Sequence, residues 1–242
     1  MNPEELVTAA CPRIGTLGAA FYFHPDTLAK GKELGLDGFR FYFMGRGGVL
    51  GNVEAKTVES AFGYFAPGLV AKIWGSGSER IEPRTAARAF DECARAFGRE
   101  KYADVDGLDA YCEAAGAIND ATDAASLPLY AAMSAEPLAD DAPARAMQLT
   151  ALLREYRGSA HLAAIRVLGL DPAVAHAIKR PDDVSTFGYQ EPPSFGEAEH
   201  ALHLEAERLT DRMVLDAYSA VDADGAAAVI AGLDGMDAAL AG

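Results

Sequence analysis

The segment 153–161, LREYRGSAH, places charged and polar side chains in a stretch that is otherwise rich in Ala, Leu and Ile. On a continuous helix Arg154, Arg157 and His161 fall on one face, because they are three and four positions apart. We interpret them as a binding site in which Arg157 holds an anionic group and His161 acts as an acid, a base or a ligand. Glu155 would orient one of these two side chains, so His161 and Glu155 are the candidates for a catalytic role.

The alternative is that the Arg and Glu residues of this segment form ion pairs on a helix surface, and that His161 begins the next helix. Gly158 costs about 1 kcal/mol inside a helix. We therefore expect a helix break, a close helix contact or room for a ligand at this glycine. In the ligand-binding interpretation Arg154 and Tyr156 also contact the ligand.

Aromatic residues are concentrated between residues 20 and 74, in the segments AFYFHP, FRFYFMGRGG and AFGYF. They predict either the main hydrophobic core or a pocket lined by aromatic rings and a few polar groups. The pocket residues that we predict are Tyr22, His24, Tyr42, Arg46 and Tyr64. A flat ligand would suit such a pocket, but no haem motif is present and the sequence identifies no cofactor.

A second concentration of histidine lies in EHALHLEAE, residues 199–207. His200, His203 and Glu207 share a helical face with a spacing that could bind a divalent metal. The segment is strongly acidic and lacks an HExxH motif, and no second ExxH motif accompanies it, as a di-iron bundle would need. We therefore expect a solvated helix surface with both histidines exposed and no metal.

Composition and charge limit the class of protein. The 242 residues are 50% hydrophobic, enough for one large domain or two small ones. No apolar run approaches the roughly 18 residues of a membrane span, and the acidic start does not suit a secretory signal, so we expect a cytoplasmic protein with no membrane partner. The net charge of −15 opposes binding to nucleic acid. Residues 145–180 are locally basic, which favours an anionic ligand there.

Frequent Ala, abundant helix caps and few β-branched residues predict an all-α fold. We expect two helical parts, an aromatic-rich part at residues 1–140 and a part at residues 141–242 that ends in acidic helices. The motif LGLD occurs once in each part, at 34–37 and 168–171, between two expected helices. It indicates either two duplicated halves with a ligand cleft between them or the repeated use of a common capping pattern.

Local signals predict the helix boundaries around residue 50 and around Gly158. The four glycines of residues 45–51 predict a flexible turn, which lacks the GKS or GKT of a phosphate loop. Asn52 then suits the N-cap of a helix that continues to about Phe65. In the C-terminal part we expect separate helices at about 144–157 and 159–168.

The order of several motifs resembles an actinobacterial family of helix-turn-helix or MarR-like proteins. Its pattern LREHRGDGH is matched at segment 153–161 in every position except Tyr156 and the pair Ser159–Ala160. The resemblance implies a fold related to winged-helix proteins and a role for Arg46. It also implies a recognition helix and a wing, but residues 180–199 are too short, too rich in Pro and too poor in basic residues to form them. The wing is therefore expected to be missing.

These observations favour a small-molecule-binding helical protein with a buried Arg/His/Glu site for an anionic or aromatic ligand, acting as a carrier, a sensor or an enzyme. One alternative is a MarR-like DNA-binding regulator, for which residues 172–180 offer only His176, Lys179 and Arg180. The other is an acidic protein that binds a basic partner or forms a homodimer. We do not expect DNA to be a partner.

Overall fold

The computed structural model describes residues 1–241 and shows an all-α fold, which confirms the predicted fold class. These residues contain no strand, and none of their helices is long and apolar enough to cross a membrane. Two short 3-10 helices cover Gly48–Leu50 and Pro181–Asp183. The α-helices are α1 (Pro3–Leu17), α2 (Pro25–Glu33), α3 (Gly38–Gly47), α4 (Ala55–Ala61), α5 (Pro67–Ser78), α6 (Pro83–Lys101), α7 (Leu108–Asp120), α8 (Pro128–Ser134), α9 (Ala142–Val167), α10 (Pro172–Lys179), α11 (Glu197–Tyr218) and α12 (Ala223–Ala241).

The longest helix, α9, lies at the centre of the fold. It packs against α1, α6, α7, α8, α10 and α11, and buried side chains cover most of its circumference. Asp141 begins it by accepting a hydrogen bond from the amide of Ala144. One hydrophobic core contains side chains of α1, α3, α6 and α7 together with side chains of α9, α11 and α12, and a smaller second core lies where α9, α10 and α11 meet. The division of the chain at residue 140 stays a prediction.

The expected break at Gly158 is wrong, because α9 continues through this residue to Val167. The cost of about 1 kcal/mol for a helical glycine is offset by the burial of Ala160, Ala164 and Ile165 in the next turns. A Cβ atom added to Gly158 would meet no atom within 4 Å. The glycine is therefore not a close helix contact and borders open space.

The expected flexible turn at residues 45–51 is also wrong. Helix α3 includes Gly45 and ends at Gly47, and a 3-10 turn follows directly. A Cβ atom on Gly45 would collide with the ring of Phe90, and one on Gly48 would collide with the carbonyl of Pro83. These glycines thus allow α3 to approach α6 closely, which is a packing role and not a source of flexibility.

The helix expected from Asn52 to Phe65 is much shorter in the structure. Helix α4 begins at Ala55, after an N-cap at Glu54, and ends at Ala61. The residues between α4 and α5 form an irregular segment that contains Tyr64. This segment becomes part of the site described below.

The two LGLD motifs form the same tight turn between helices. Gly35 and Gly169 adopt left-handed φ values of 74° and 72°. In each turn the next leucine donates its amide to a carbonyl five residues earlier at 2.9 Å, and the aspartate that follows caps the new helix. The local helix–turn–helix is therefore present twice, and duplication of the two halves stays a prediction.

Helix α1 has no counterpart among the expected helices. It begins with a capping box in which the side chains of Asn2 and Glu5 each accept from the other residue's amide. Pro3 occupies the first turn, and the helix packs against α9, α11 and α12. The pattern N-P-E-E before an apolar run was the sequence signal for it.

Candidate functional site

A cavity of about 530 Å³ lies between α9, α1 and the segment from α3 to α5, with α10 and α11 completing its wall. This volume is in the range of pockets that hold small molecules. The first half contributes aromatic rings to the wall, and α9 and α10 contribute most of its charge. The polar and aromatic lining residues are Cys11, Thr16, Tyr42, Arg46, Phe62, Tyr64, Phe65, Arg154, Glu155, Arg157, Ser159, His161, His176, Lys179, Arg180, Phe187 and Glu207.

Most of the residues predicted from the sequence lie together on this wall. Arg157 and His161 are buried or partly buried next to the first-half aromatics, which is the arrangement that the sequence predicts. The predicted site residues on the wall are Tyr42, Arg46, Tyr64, Arg154, Glu155, Arg157 and His161. Their roles toward a ligand stay predictions.

Three predicted residues do not line the cavity. Tyr22 lies behind the wall, where its hydroxyl accepts a hydrogen bond from Arg154 at 3.1 Å. Tyr156 is on another face of α9, with its ring 5.2 Å from that of Tyr130 and its hydroxyl donating to the carbonyl of Met213. His24 precedes α2 and packs edge-on against Phe97. Tyr156 and His24 are placed by packing with distant helices, which the local sequence does not show.

Arg154 is the cation of the wall that lacks an acidic partner. Its Nε donates to the carbonyl of Gly15 at 3.2 Å, and its guanidinium carbon lies 5.0 Å from the centre of the Tyr22 ring. Within residues 1–241 no carboxylate forms an ion pair with it. Its charge is therefore fixed in place by neutral groups and left uncompensated beside the cavity.

Glu155 pairs with Arg46 across the cavity wall, with 2.6 Å between Oε2 and Nη2. The pair is buried, since Arg46 is 9% exposed and Glu155 is 3% exposed. Burial by itself lowers the pKa of Arg46, but Glu155 together with Tyr42 and Tyr22 outweighs burial, and the pKa is raised. The expectation that Glu155 orients Arg157 or His161 is therefore wrong, because its partner comes from the first half of the chain.

Glu207 of α11 takes the orienting role instead. Its Oε2 accepts from Arg157 at 2.7 Å, and its Oε1 accepts from Lys179 at 3.0 Å. Arg157 also donates to Asp211 at 2.8 Å. Burial raises the pKa of Glu207, but these cations outweigh burial and lower the pKa to about 2. Glu207 is thus ionised at neutral pH.

His161 is held in one tautomer by its neighbour on α11. Its Nδ1 lies 2.8 Å from Oγ1 of Thr210, and that hydroxyl lies 2.7 Å from the carbonyl of Ala206. The carbonyl can only accept, so Thr210 donates to it and accepts from Nδ1 of His161. Nε2 therefore carries the lone pair. Burial, opposed by Glu207, lowers the pKa of His161 to about 4, so the ring is neutral at pH 7.

The prediction that His203 is exposed is wrong, whereas His200 is exposed as expected. His203 is only 9% exposed, and its ring lies edge-on to His161 with the centroids 5.9 Å apart. The physical reason is that α11 turns the face carrying His203, Glu207 and Thr210 toward α9. An acidic composition alone did not reveal which face that would be.

The wall carries more positive than negative charge. Five cationic side chains line the cavity against the two carboxylates of Glu155 and Glu207. Buried polar atoms of the wall also lack a hydrogen-bond partner within the described part of the chain: Nε of Arg46, Nε of Arg157 and Nε2 of His176. Unpaired buried polar groups are costly, so a ligand that bonded to them would stabilise the fold.

Sequence reasoning missed several wall residues. Cys11 and Thr16 belong to α1, which was not expected, and Glu207 was assigned to a solvated surface. The sequence offers Lys179 and His176 only as candidate contacts with DNA. The basic character of residues 145–180 indicates Lys179 as a site residue. The capping box at the start of α1 predicts the helix that carries Cys11.

Comparison with known proteins identifies a family. A profile described as the helix-turn-helix family matches residues 7–195, more than three quarters of the chain, from within α1 to the segment before α11. No curated protein and no solved structure matches the chain. The matched region includes both LGLD turns and the segment LREYRGSAH. The chain therefore belongs to the helix-turn-helix family.

Proposed function

We propose that this protein binds an anionic small molecule in the cavity between α9 and the first-half aromatics. The observation that carries the proposal is Arg154, a cation on the cavity wall that has only neutral hydrogen-bond partners. A partly buried charge without a counter-charge favours an anion nearby. Hydrogen bonds between a guanidinium and an anion are also the strong, charge-assisted kind.

The shape of the cavity indicates the rest of the ligand. The rings of Tyr42, Phe62 and Tyr64 line the side contributed by the first half, and they suit an apolar or aromatic portion. Gly15 and Gly158 also line the cavity, and an added Cβ atom at either position would meet nothing within 4 Å. Both helices therefore leave their backbone accessible to a bound molecule.

Two side chains predicted for catalysis differ in what they can do. Glu155 is bound by Arg46, so its role is to fix that cation beside the cavity. Neutral His161, with a lone pair on Nε2, can accept a proton or bind a ligand. An enzyme built on this site would use His161 as its base, and a carrier or sensor would use it as a polar contact.

The proposal is tested by a thermal-shift screen with pairs of aromatic carboxylic acids and their amides. Binding to the folded state raises Tm, and a carboxylate should do so where its neutral amide does not. Arg154→Met should remove this difference. Arg88→Met, which deletes an exposed cation away from the cavity, is the matched control and should leave it unchanged. Equal shifts for acids and amides, or an unchanged Arg154→Met variant, would contradict the proposal.

DNA binding as a MarR-like regulator is the second candidate, and membership of the helix-turn-helix family favours it. The unit formed by α9 and α10 is the helix–turn–helix concerned. Half of the residues of α10 are buried, and Lys179 at its end is engaged by Glu207. Fluorescence anisotropy with genomic fragments tests this candidate. Tight binding at physiological salt with a steep salt dependence that Lys179→Met and Arg180→Met reduce would support it.

A further inference from the structure

Two histidines and a glutamate come together where α9 meets α11, at the edge of the cavity. His203 and Glu207 are four positions apart on α11, and His161 faces them from α9. One donor atom from each residue lies within 4.8 Å of the other two. Nε2 of His161 is 3.9 Å from Oε1 of Glu207. Two imidazoles and a carboxylate are a ligand set that zinc and related ions use.

His203 supplies an independent observation. The residue is nine-tenths buried, yet its Nε2 has no hydrogen-bond partner among residues 1–241. Buried polar side-chain atoms normally have a partner, and each exception needs an explanation. A metal ion bound between His203 and His161 would give the buried ring of His203 a partner.

The surrounding groups hold these side chains in the form that a metal requires. The hydroxyl of Thr210 accepts a hydrogen bond from Nδ1–H of His161, which leaves the lone pair on Nε2 available to a metal. Arg157 holds Oε2 of Glu207, which leaves Oε1 on the side of His161. Histidines that bind metals nearly always donate their other N–H to a neighbour of this kind.

We propose that His161, His203 and Glu207 bind a divalent transition-metal ion of the zinc type. Bonds of about 2.0–2.2 Å in a tetrahedral site place donor atoms roughly 3.3–3.6 Å apart. The three donor atoms lie within 4.8 Å of one another, so they need to close in by at most about an ångström. Lys179 must release Oε1, and with 53% of its side chain exposed it can turn into solvent. The sequence predicted no metal here because the segment is strongly acidic and lacks both an HExxH motif and a second ExxH motif, and it placed His203 on a solvated surface.

Such a site would differ from a structural metal centre. Only three protein ligands are available among the described residues, and a site of this kind keeps a position open for water or a substrate. Because His161 and Glu207 both line the cavity, that position is accessible to a small molecule there. The metal site does not depend on the anionic ligand proposed above, so either can hold without the other.

The test begins with protein from which a chelator has removed bound metal. One sample is titrated with Co²⁺ alone and monitored by visible absorption, and a second sample is titrated with Zn²⁺ alone and monitored by calorimetry. We expect one equivalent to bind, with the intense d–d absorption of cobalt in a low-coordinate site. His203→Ala should weaken binding by more than about 100-fold, beyond the roughly 10- to 100-fold cost of losing an outer partner. The matched control is His200→Ala, which removes an exposed histidine from the same helix and should bind as the parent does.

Two further variants keep all three donor atoms, so they remain informative if His203→Ala does not fold. Thr210→Val removes the partner of His161 and should weaken binding by about 10- to 100-fold. Lys179→Met removes the cation that competes for Glu207 and should tighten binding several-fold. The proposal is overturned by the absence of stoichiometric binding, by a spectrum typical of hydrated cobalt, or by equal effects of His200→Ala and His203→Ala. The acid and amide shifts measured without metal report on the anion site separately.

Discussion

Replacing Glu155 by Gln should destabilise the protein strongly, because it leaves the charge of Arg46 buried without a counter-charge. The change removes one unit of charge and keeps the shape of the side chain, while an NH2 donor replaces one of its two acceptor oxygens. Both partners are almost inaccessible to water, at 9% and 3% exposure. In such a place water cannot take over from the lost carboxylate.

The size of the effect follows from the geometry. Unit charges about 4 Å apart attract by ~4 kcal/mol at an effective dielectric constant near 20, and breaking one side of a buried pair costs about 3–5 kcal/mol. The ring of Phe62 lies 4.6 Å from the guanidinium carbon and that of Tyr42 lies 5.1 Å from it, and they compensate part of this cost. We therefore expect a loss near the lower limit, about 3 kcal/mol, which corresponds to roughly 6–12 °C in Tm.

Urea unfolding followed by far-ultraviolet circular dichroism measures this loss. The control is Glu92→Gln, the same chemical change in an exposed pair with Arg99, which should cost less than about 1 kcal/mol. The double variant with Arg46→Met should regain at least about half of the loss, because it no longer buries an unpaired charge. A loss for Glu155→Gln as small as that of Glu92→Gln would refute the reasoning.

Three further predictions concern the packing and the cavity. Gly45→Ala should lower the free energy of unfolding by about 1–3 kcal/mol, because the added Cβ atom collides with Phe90. Gly116→Ala, in a helix where an added Cβ atom meets open space, should raise the free energy of unfolding measured in urea by up to ~1 kcal/mol. Gly158→Leu should fill part of the cavity, so that ligands no longer raise Tm, while the ligand-free protein keeps its stability. If ligands raise the Tm of this variant as they raise that of the parent, the cavity is not the binding site. Burial raises the pKa of Cys93 to about 11. Its alkylation by iodoacetamide at pH 8 should therefore be about two orders of magnitude slower in the folded protein than in the unfolded chain, and it should accelerate as the pH rises. Equal alkylation rates in the folded and unfolded protein would show that Cys93 is not buried.

Features that depend on neighbouring residues could be predicted from the sequence. The all-helical fold follows from propensities and caps, and the bounds of α10 follow from Asp171, Pro172 and the Arg-Pro pair after Lys179. The segment LREYRGSAH was recognised because polar residues at helical spacing in an apolar helix need partners or a ligand. Both kinds of signal act within about one or two helical turns.

Features that depend on distant packing could not be predicted. Glu155 finds its partner 109 positions away in Arg46, and His161 meets Thr210 across 49 positions. Whether His203 is exposed depends on which face α11 turns toward α9, and its amphipathic pattern is too weak to decide this. The glycines of residues 45–51 look the same in a flexible turn and in a close helix crossing, and only the position of Phe90 on α6 distinguishes them.

The uncompensated charge of Arg154 should make the cavity selective for anions. Two fluorescent probes of nearly the same shape test it directly: anilinonaphthalene sulfonate, which is anionic, and phenylnaphthylamine, which lacks the sulfonate. Both have aromatic rings that suit the wall formed by Tyr42, Phe62 and Tyr64. Their dissociation constants are measured for the parent protein, for Arg154→Met and for the control Arg88→Met.

We predict that the parent and Arg88→Met bind the sulfonate more tightly than the neutral probe. Arg154→Met should weaken the sulfonate by about 10- to 100-fold, as the loss of a charge-assisted hydrogen bond requires, and leave the neutral probe unchanged. Equal affinities of the two probes for the parent protein, or a sulfonate affinity that does not change in Arg154→Met, would contradict the account.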